Sequence, residues 1–215
     1  MKILLLGAAG QVAEMVRENL LKETSDELVL FARNASQRIK NVDAERETVV
    51  DGDFEDAAAL EKALDGVDAV YLNDMGNTKA VKTIVAAMEK VGTKKFIGAS
   101  ILGIYNEVAG AFGEWNDRML GGSPRYQAQK DSAKAVEESN LDYTLLRLTW
   151  LYNEAGNEKY AYTVKGEPFV GAEVSRQAVA RVIVDILTTA DPKYIDQSLG
   201  IYEPGTEDYA KPSFY

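Results

Sequence analysis

The sequence predicts an α/β fold, a doubly wound parallel sheet with helices on both faces, and three observations predict it. Short apolar runs alternate along the chain with stretches whose apolar residues recur at helical spacing. The runs are nearly continuous in Val, Leu and Ile, which is the pattern of strands covered on both faces. The alternation has the length of βαβ units, whose right-handed crossovers build a parallel sheet.

The opening stretch, MKILLLGAAGQVAEMV, reads as strand, glycine turn and helix. Its apolar run is too short for a secretion signal and is interrupted by Gln11 and Glu14, while Met15, Val16, Leu20 and Leu21 return at helical spacing. DELVLFARN and ETVVDGDFED give the second and third strands, followed by a helix from about Asp56 to Leu64. VDAVYLND is the fourth strand, and a helix from about Thr78 to Val91 places Val81, Ile84, Val85 and Met88 on one face. KKFIGAS is the fifth. The segment from about Tyr105 to Gly122 has four glycines around Trp115 and reads as an irregular functional loop, a lid carrying Phe112 and Trp115 over the site. The alternative is an aromatic segment that merely anchors itself to the body. Ser123 then caps a helix with Pro124 in its first turn, running to about Ser139. LDYTLLRLTWLY is the sixth strand and its exit, Ser175 caps a last helix to about Thr188, and SLGIYE is a short final strand.

Composition narrows the chemistry. A chain of 215 residues is expected to form one domain, 1–215, with its core in 1–150 and a substrate-side part in 151–215. It has neither cysteine nor histidine, which excludes disulfides, thiol nucleophiles, His-dependent triads and thiolate or His-ligated metal sites, and no metal is expected. A formal charge of −10 argues against nucleic-acid binding, and no apolar run approaches the length of a membrane helix. The expected location is the cytoplasm.

In an open parallel sheet, ligands bind beyond the carboxyl ends of the strands, where the first βα turn offers free backbone N–H groups to a pyrophosphate. Gly7 and Gly10 stand there with Ala13 one turn on, so Gly7, Ala9, Gly10, Gln11 and Val12 are candidates for the phosphate cradle. The spacing differs from G-x-G-x-x-G and takes its weight from context. Where NAD enzymes carry an acid after the second strand, this chain has Arg33 followed by Asn34; an arginine pairs with a 2′-phosphate, which favours NADP, with NAD as the alternative. Asp53 and Phe54 are expected beside the adenine, and Asn73 near a cofactor ribose; each also fits a helix cap or a turn.

Tyr126 and Lys130, one turn apart on the helix before the sixth strand, are the catalytic candidates, the ammonium lowering the phenol's pKa so that it protonates a carbonyl receiving hydride. Such a spacing arises by chance about once in a chain with this Tyr and Lys content. The alternative for Tyr126 is a half-buried aromatic at a helix start. Ser100, at the end of the fifth strand, is the second donor, serving cofactor or substrate, and Lys130 is also expected at the nicotinamide ribose.

Together LLLGAAGQVA, LFARN, DGDFED, KKFIGAS, YQAQK and EESNLDYTLLR resemble the atypical short-chain dehydrogenase/reductase superfamily, in particular small NAD(P)-binding proteins related to NmrA-like regulators and to flavin or biliverdin reductases. The resemblance covers most of the chain. Asn140 stands where the family often has Gly, and Leu148 follows Arg147 where it has Pro. It implies a Rossmann-like fold and cofactor binding more than catalysis, since members often lack a working Tyr–Lys pair. Two functions follow: an NADP-dependent oxidoreductase acting on a small carbonyl, quinone or flavin-like substrate, or a non-catalytic dinucleotide sensor that acts on a protein partner.

Overall fold

The computed structural model describes residues 1–215. Its main sheet has eight strands: β1 (Lys2–Leu6), β2 (Glu27–Ala32), β3 (Glu47–Asp51), β4 (Ala69–Leu72), β5 (Lys95–Ile101), β6 (Asp142–Leu148), β8 (Ala161–Val164) and β10 (Gln197–Tyr202). They lie in the order β3-β2-β1-β4-β5-β6-β10-β8, with β7 (Trp150–Tyr152) and β9 (Glu173–Ser175) forming a separate parallel pair. The first six strands are parallel, so β1 and β4 are neighbours from which the chain winds in opposite directions, leaving a crevice at their carboxyl ends.

Successive side chains of a strand point to opposite faces, and here the faces sort cleanly. Ile3 and Leu5 enter the core shared with α1 (Gln11–Glu23) and α7 (Arg176–Thr188); Leu4 and Leu6 enter the other, shared with α3 (Ala57–Ala63), α4 (Thr78–Val91) and α6 (Pro124–Glu137). Two covered faces explain why the strands read as uninterrupted apolar runs. Helix starts follow the sequence signals: Asp56, Asn77, Ser123 and Ser175 each accept a hydrogen bond from the backbone N–H three residues on.

Several expectations are corrected. The segment 105–122 is not an irregular loop, because Gly110–Leu120 forms a helix, α5. Gly113 allows close packing: a Cβ there would come within 2.6 Å of the Val108 carbonyl oxygen. Phe112 is buried in a satellite core with Leu102, Phe169 and Ala172, against which Trp115 packs, so these aromatics anchor the helix to the body. The sixth apolar run is two strands, since β7 leaves the sheet after Thr149, whose hydroxyl donates to the Gly171 carbonyl (3.2 Å). The sheet is not wholly parallel: β8, unforeseen like β9 and the four-residue α2 (Ala35–Arg38), pairs antiparallel with β10 at the edge. No helix is long and apolar enough to cross a membrane.

Candidate active site

The turn between β1 and α1 runs along the crevice. Gly7 has φ +84°, a conformation that side chains rarely adopt, and the Gly10 N–H closes the turn by donating to the Gly7 carbonyl (2.9 Å). A Cβ at Gly7 would lie 3.1 Å from Asn73 Cβ, and one at Gly10 would collide with the Asn73 carboxamide nitrogen. Glycine is therefore required for the turn to lie against β4. Unlike α3, α4, α6 and α7, helix α1 has no side-chain cap, and the amides of Ala9, Gln11 and Val12 donate to no protein group. Uncapped N–H groups at the positive end of a helix make a cradle that fits a pyrophosphate. Asn73 is itself positioned by Tyr71, whose buried hydroxyl donates to its side-chain oxygen (3.0 Å).

Beside this turn lies a cleft of about 640 Å³ that brings together Gly7, Arg33, Asp53, Phe54 and Asn73. Phe54 stacks on Phe31 with ring centroids 5.8 Å apart, presenting an aromatic wall, and Asp53 caps the turn before α3 by accepting from the Glu55 N–H (2.9 Å). Asn34, in the left-handed region at φ 53°, turns the chain after Arg33 but does not line the cleft. A residue that sequence reasoning missed, Arg38, does: it donates to the Ala9 carbonyl (3.3 Å) and the Arg33 carbonyl (3.4 Å), placing a second guanidinium beside Arg33.

Asn73 and Asp74 also border a second cavity, of about 420 Å³, that lies beyond the ends of β5 and β6 and is walled by Leu102, Leu120, Leu148 and Trp150. Its polar floor is a connected network. Ser100, buried as expected at the end of β5, donates to Gln129 Oε1 (3.3 Å); Gln129 Nε2 donates to Asp74 Oδ1 (3.0 Å); Arg125 Nη2 and the Gly76 N–H donate to the same oxygen (2.9 and 3.1 Å). Gln129 is only 1% exposed, so its carboxamide is oriented by partners on both sides. Trp150 is held by its indole N–H on Asn116 Oδ1 (3.0 Å) and by edge-on contacts with Trp115 and Tyr215.

The structure does not bring Tyr126 and Lys130 into either space. The Tyr126 hydroxyl donates to the Gly103 carbonyl (2.6 Å) in the loop after β5, and Lys130 sits over the ring face, 4.8 Å from its centroid, with its ammonium on Asn106 Oδ1 (3.3 Å). The expected depression of the phenol is reversed: burial first, then Glu107 and Asp117, push it up to about 12. The face of α6 that reaches the cavity carries Arg125 and Gln129, spaced by one turn like the pair expected, but rotated one residue toward β4. No sequence signal marks glutamine for this role; the helical period does name it once the facing side is known.

A family model described as NAD(P)H-binding matches residues 7–190. A short-chain dehydrogenase/reductase of Veillonella parvula DSM 2008, solved in complex with NADP, is 36% identical, with 99% of each chain covered and a TM-score of 0.94. A Rossmann-fold NAD(P)-binding family protein of Shigella flexneri is 33% identical over 100% of this chain and 98% of that one, with a TM-score of 0.81. A protein of Bacillus subtilis (strain 168) described as the uncharacterized sugar epimerase YhfK is 27% identical over 201 residues, 86% of each chain. The chain belongs to the NAD(P)H-binding family and has the Rossmann-like fold of short-chain dehydrogenases/reductases.

Proposed function

We propose that this member of the NAD(P)H-binding family is an NADP-dependent reductase of a small conjugated acceptor, of quinone or flavin-like type. The observation that carries the reading is that the two spaces share Asn73 and Asp74 as walls: a cleft with two arginines and an aromatic wall lies beside a largely apolar cavity at the carboxyl edge of the sheet. The bound dinucleotide supplies a hydride. The free amides of Ala9, Gln11 and Val12 hold its pyrophosphate, Arg33 and Arg38 take the 2′-phosphate, and Asp53 and Phe54 receive the adenine. Trp150 and the leucines exclude water from the acceptor, while Ser100 and Gln129 fix its polar edge.

The conjugated class follows from what the cavity lacks. A simple ketone receiving hydride becomes an alkoxide and needs a placed acid, and Tyr126 and Lys130 are engaged elsewhere. A quinone-like acceptor spreads the new negative charge over its ring system and takes its proton from water. The same lack speaks against sugar epimerisation through a Tyr–Lys base for the sugar hydroxyl, since that pair stands outside the cavity. It also favours the second reading, an NADP-sensing protein without turnover. Oxidation of NADPH, followed by absorbance with quinones, flavins and small carbonyl compounds, separates them: turnover of conjugated acceptors alone is the expected result, and tight NADPH binding with no turnover moves the assignment to the sensor.

Two variants test the residue roles. Arg33→Ala weakens NADPH binding about 10- to 100-fold, the worth of a charge-assisted pair, and leaves NADH binding unchanged. Equal weakening of both cofactors removes the 2′-phosphate from Arg33. Tyr126→Phe keeps turnover far above the ~100-fold loss that follows removal of a general acid, and wild-type activity has no alkaline limb from this phenol below about 12. A collapse of kcat in Tyr126→Phe with intact thermal stability returns the tyrosine to the chemistry.

A further inference from the structure

We propose that Arg125 is the specificity-determining residue of the acceptor cavity, and that the acceptor carries an oxyanion, a carboxylate or sulfonate, which takes the place that Asp74 occupies on its guanidinium. The proposal deepens the reductase reading and rests on it.

Arg125 is the only Lys or Arg lining the cavity, and Asp74 the only acid. On a chain of net charge −10 the single cation lining a largely apolar cavity marks the one place where an anionic ring substituent is stabilised. The pair is built to exchange. Its side chains are 66% and 47% exposed, a setting in which ion pairs hold weakly, and Arg125 reaches Asp74 through a single nitrogen, Nη2, at 2.9 Å. A ligand oxyanion that meets the guanidinium through two parallel N–H bonds outcompetes that contact. Asp74 is not stranded by the exchange, because the Gly76 N–H and Gln129 Nε2 continue to hold its Oδ1. Gly76 also leaves the space: a Cβ there would lie 2.7 Å from Arg125 Nη1. Arg125 is thus placed at the rim next to Asn73 and Asp74, with Trp150 among the walls of the same cavity, so a flat ring within the cavity directs a substituent to the guanidinium.

The test compares 1,4-naphthoquinone-2-sulfonate with 2-methyl-1,4-naphthoquinone, measuring both dissociation constants by calorimetry on the full chain with saturating NADP⁺. The wild-type protein is expected to bind the sulfonate at least tenfold more tightly. Arg125→Met removes that difference by weakening the sulfonate alone, Arg125→Lys restores part of it, and Asp74→Asn strengthens sulfonate binding by freeing the guanidinium. Equal binding of both quinones by the wild type, or an unchanged sulfonate constant in Arg125→Met, overturns the proposal. So does weaker NADP⁺ binding in Arg125→Met, which assigns the arginine to the dinucleotide's phosphates. If NADP⁺ does not bind the wild type at all, the reductase reading fails, and the same comparison without cofactor still decides the role of Arg125.

Discussion

Glu107→Ala is expected to lower the free energy of unfolding by about 3–5 kcal/mol, the usual cost of leaving a buried charge without its partner. The partner is Arg147 of β6, whose side chain is fully buried. Its guanidinium donates to Glu107 Oε1 (2.7 Å) and to the carbonyls of Ser198 (3.1 Å) and Thr163 (3.4 Å). Glu107 in turn accepts from the N–H groups of Gly103 and Tyr105, both at 2.9 Å, and so folds the loop that follows β5 back onto the sheet. Since a domain of this size holds its fold by only about 5–15 kcal/mol, the loss is visible as a large drop in the urea midpoint. The double variant Glu107→Leu, Arg147→Met regains only part of it, because it removes the unpaired charge but leaves the N–H groups of Gly103 and Tyr105 and the carbonyls of Ser198 and Thr163 without these partners. A single variant with an unchanged midpoint overturns the assignment. The Gly103 carbonyl belongs to the same loop and receives the Tyr126 hydroxyl, so the pair also fixes where that tyrosine points.

Gly10→Val is expected to reduce NADPH affinity by on the order of 100-fold, about 2.8 kcal/mol, while leaving the fold cooperative. The reason is local. The first carbon of any side chain at this position collides with the Asn73 carboxamide nitrogen, and since that carboxamide is held by the Tyr71 hydroxyl, the larger valine is expected to push the turn off β4 and take the amides of Ala9, Gln11 and Val12 out of line with one another. Each charge-assisted N–H bond to a phosphate contributes roughly 1.5–3 kcal/mol, so misaligning two of them is enough. Gly10→Ala collides by the same first carbon and is expected to lose less, since it adds nothing beyond it. Calorimetric titration with NADPH, with thermal unfolding as the control for folding, reads the effect; wild-type affinity in Gly10→Val removes the turn from the cofactor site.

What the sequence determined by itself is local. Five strands, their helices and the caps at Ser123 and Ser175 are written in apolar period and in single residues that satisfy nearby N–H groups. The convergence of Gly7, Arg33, Asp53, Phe54 and Asn73 on one cleft was legible for the same reason, since in a parallel sheet every strand delivers its next residue to the same edge. Tertiary structure decided the rest. Helix α5 was hidden because glycines argue against a helix in isolation, and only the tertiary contact of Gly113 with Val108 shows why one stands inside it. β8 and β10 acquire their roles only from partners far along the chain. The residues of α6 that face the cavity lie one position before the expected pair: a helix advances about 100° per residue, and sequence fixes the spacing of Tyr126 and Lys130 but not the rotation of their helix about its axis. Packing of Ser132, Ala133 and Val136 into the core sets that rotation, and it turns Arg125 and Gln129, not the tyrosine and lysine, toward the cavity.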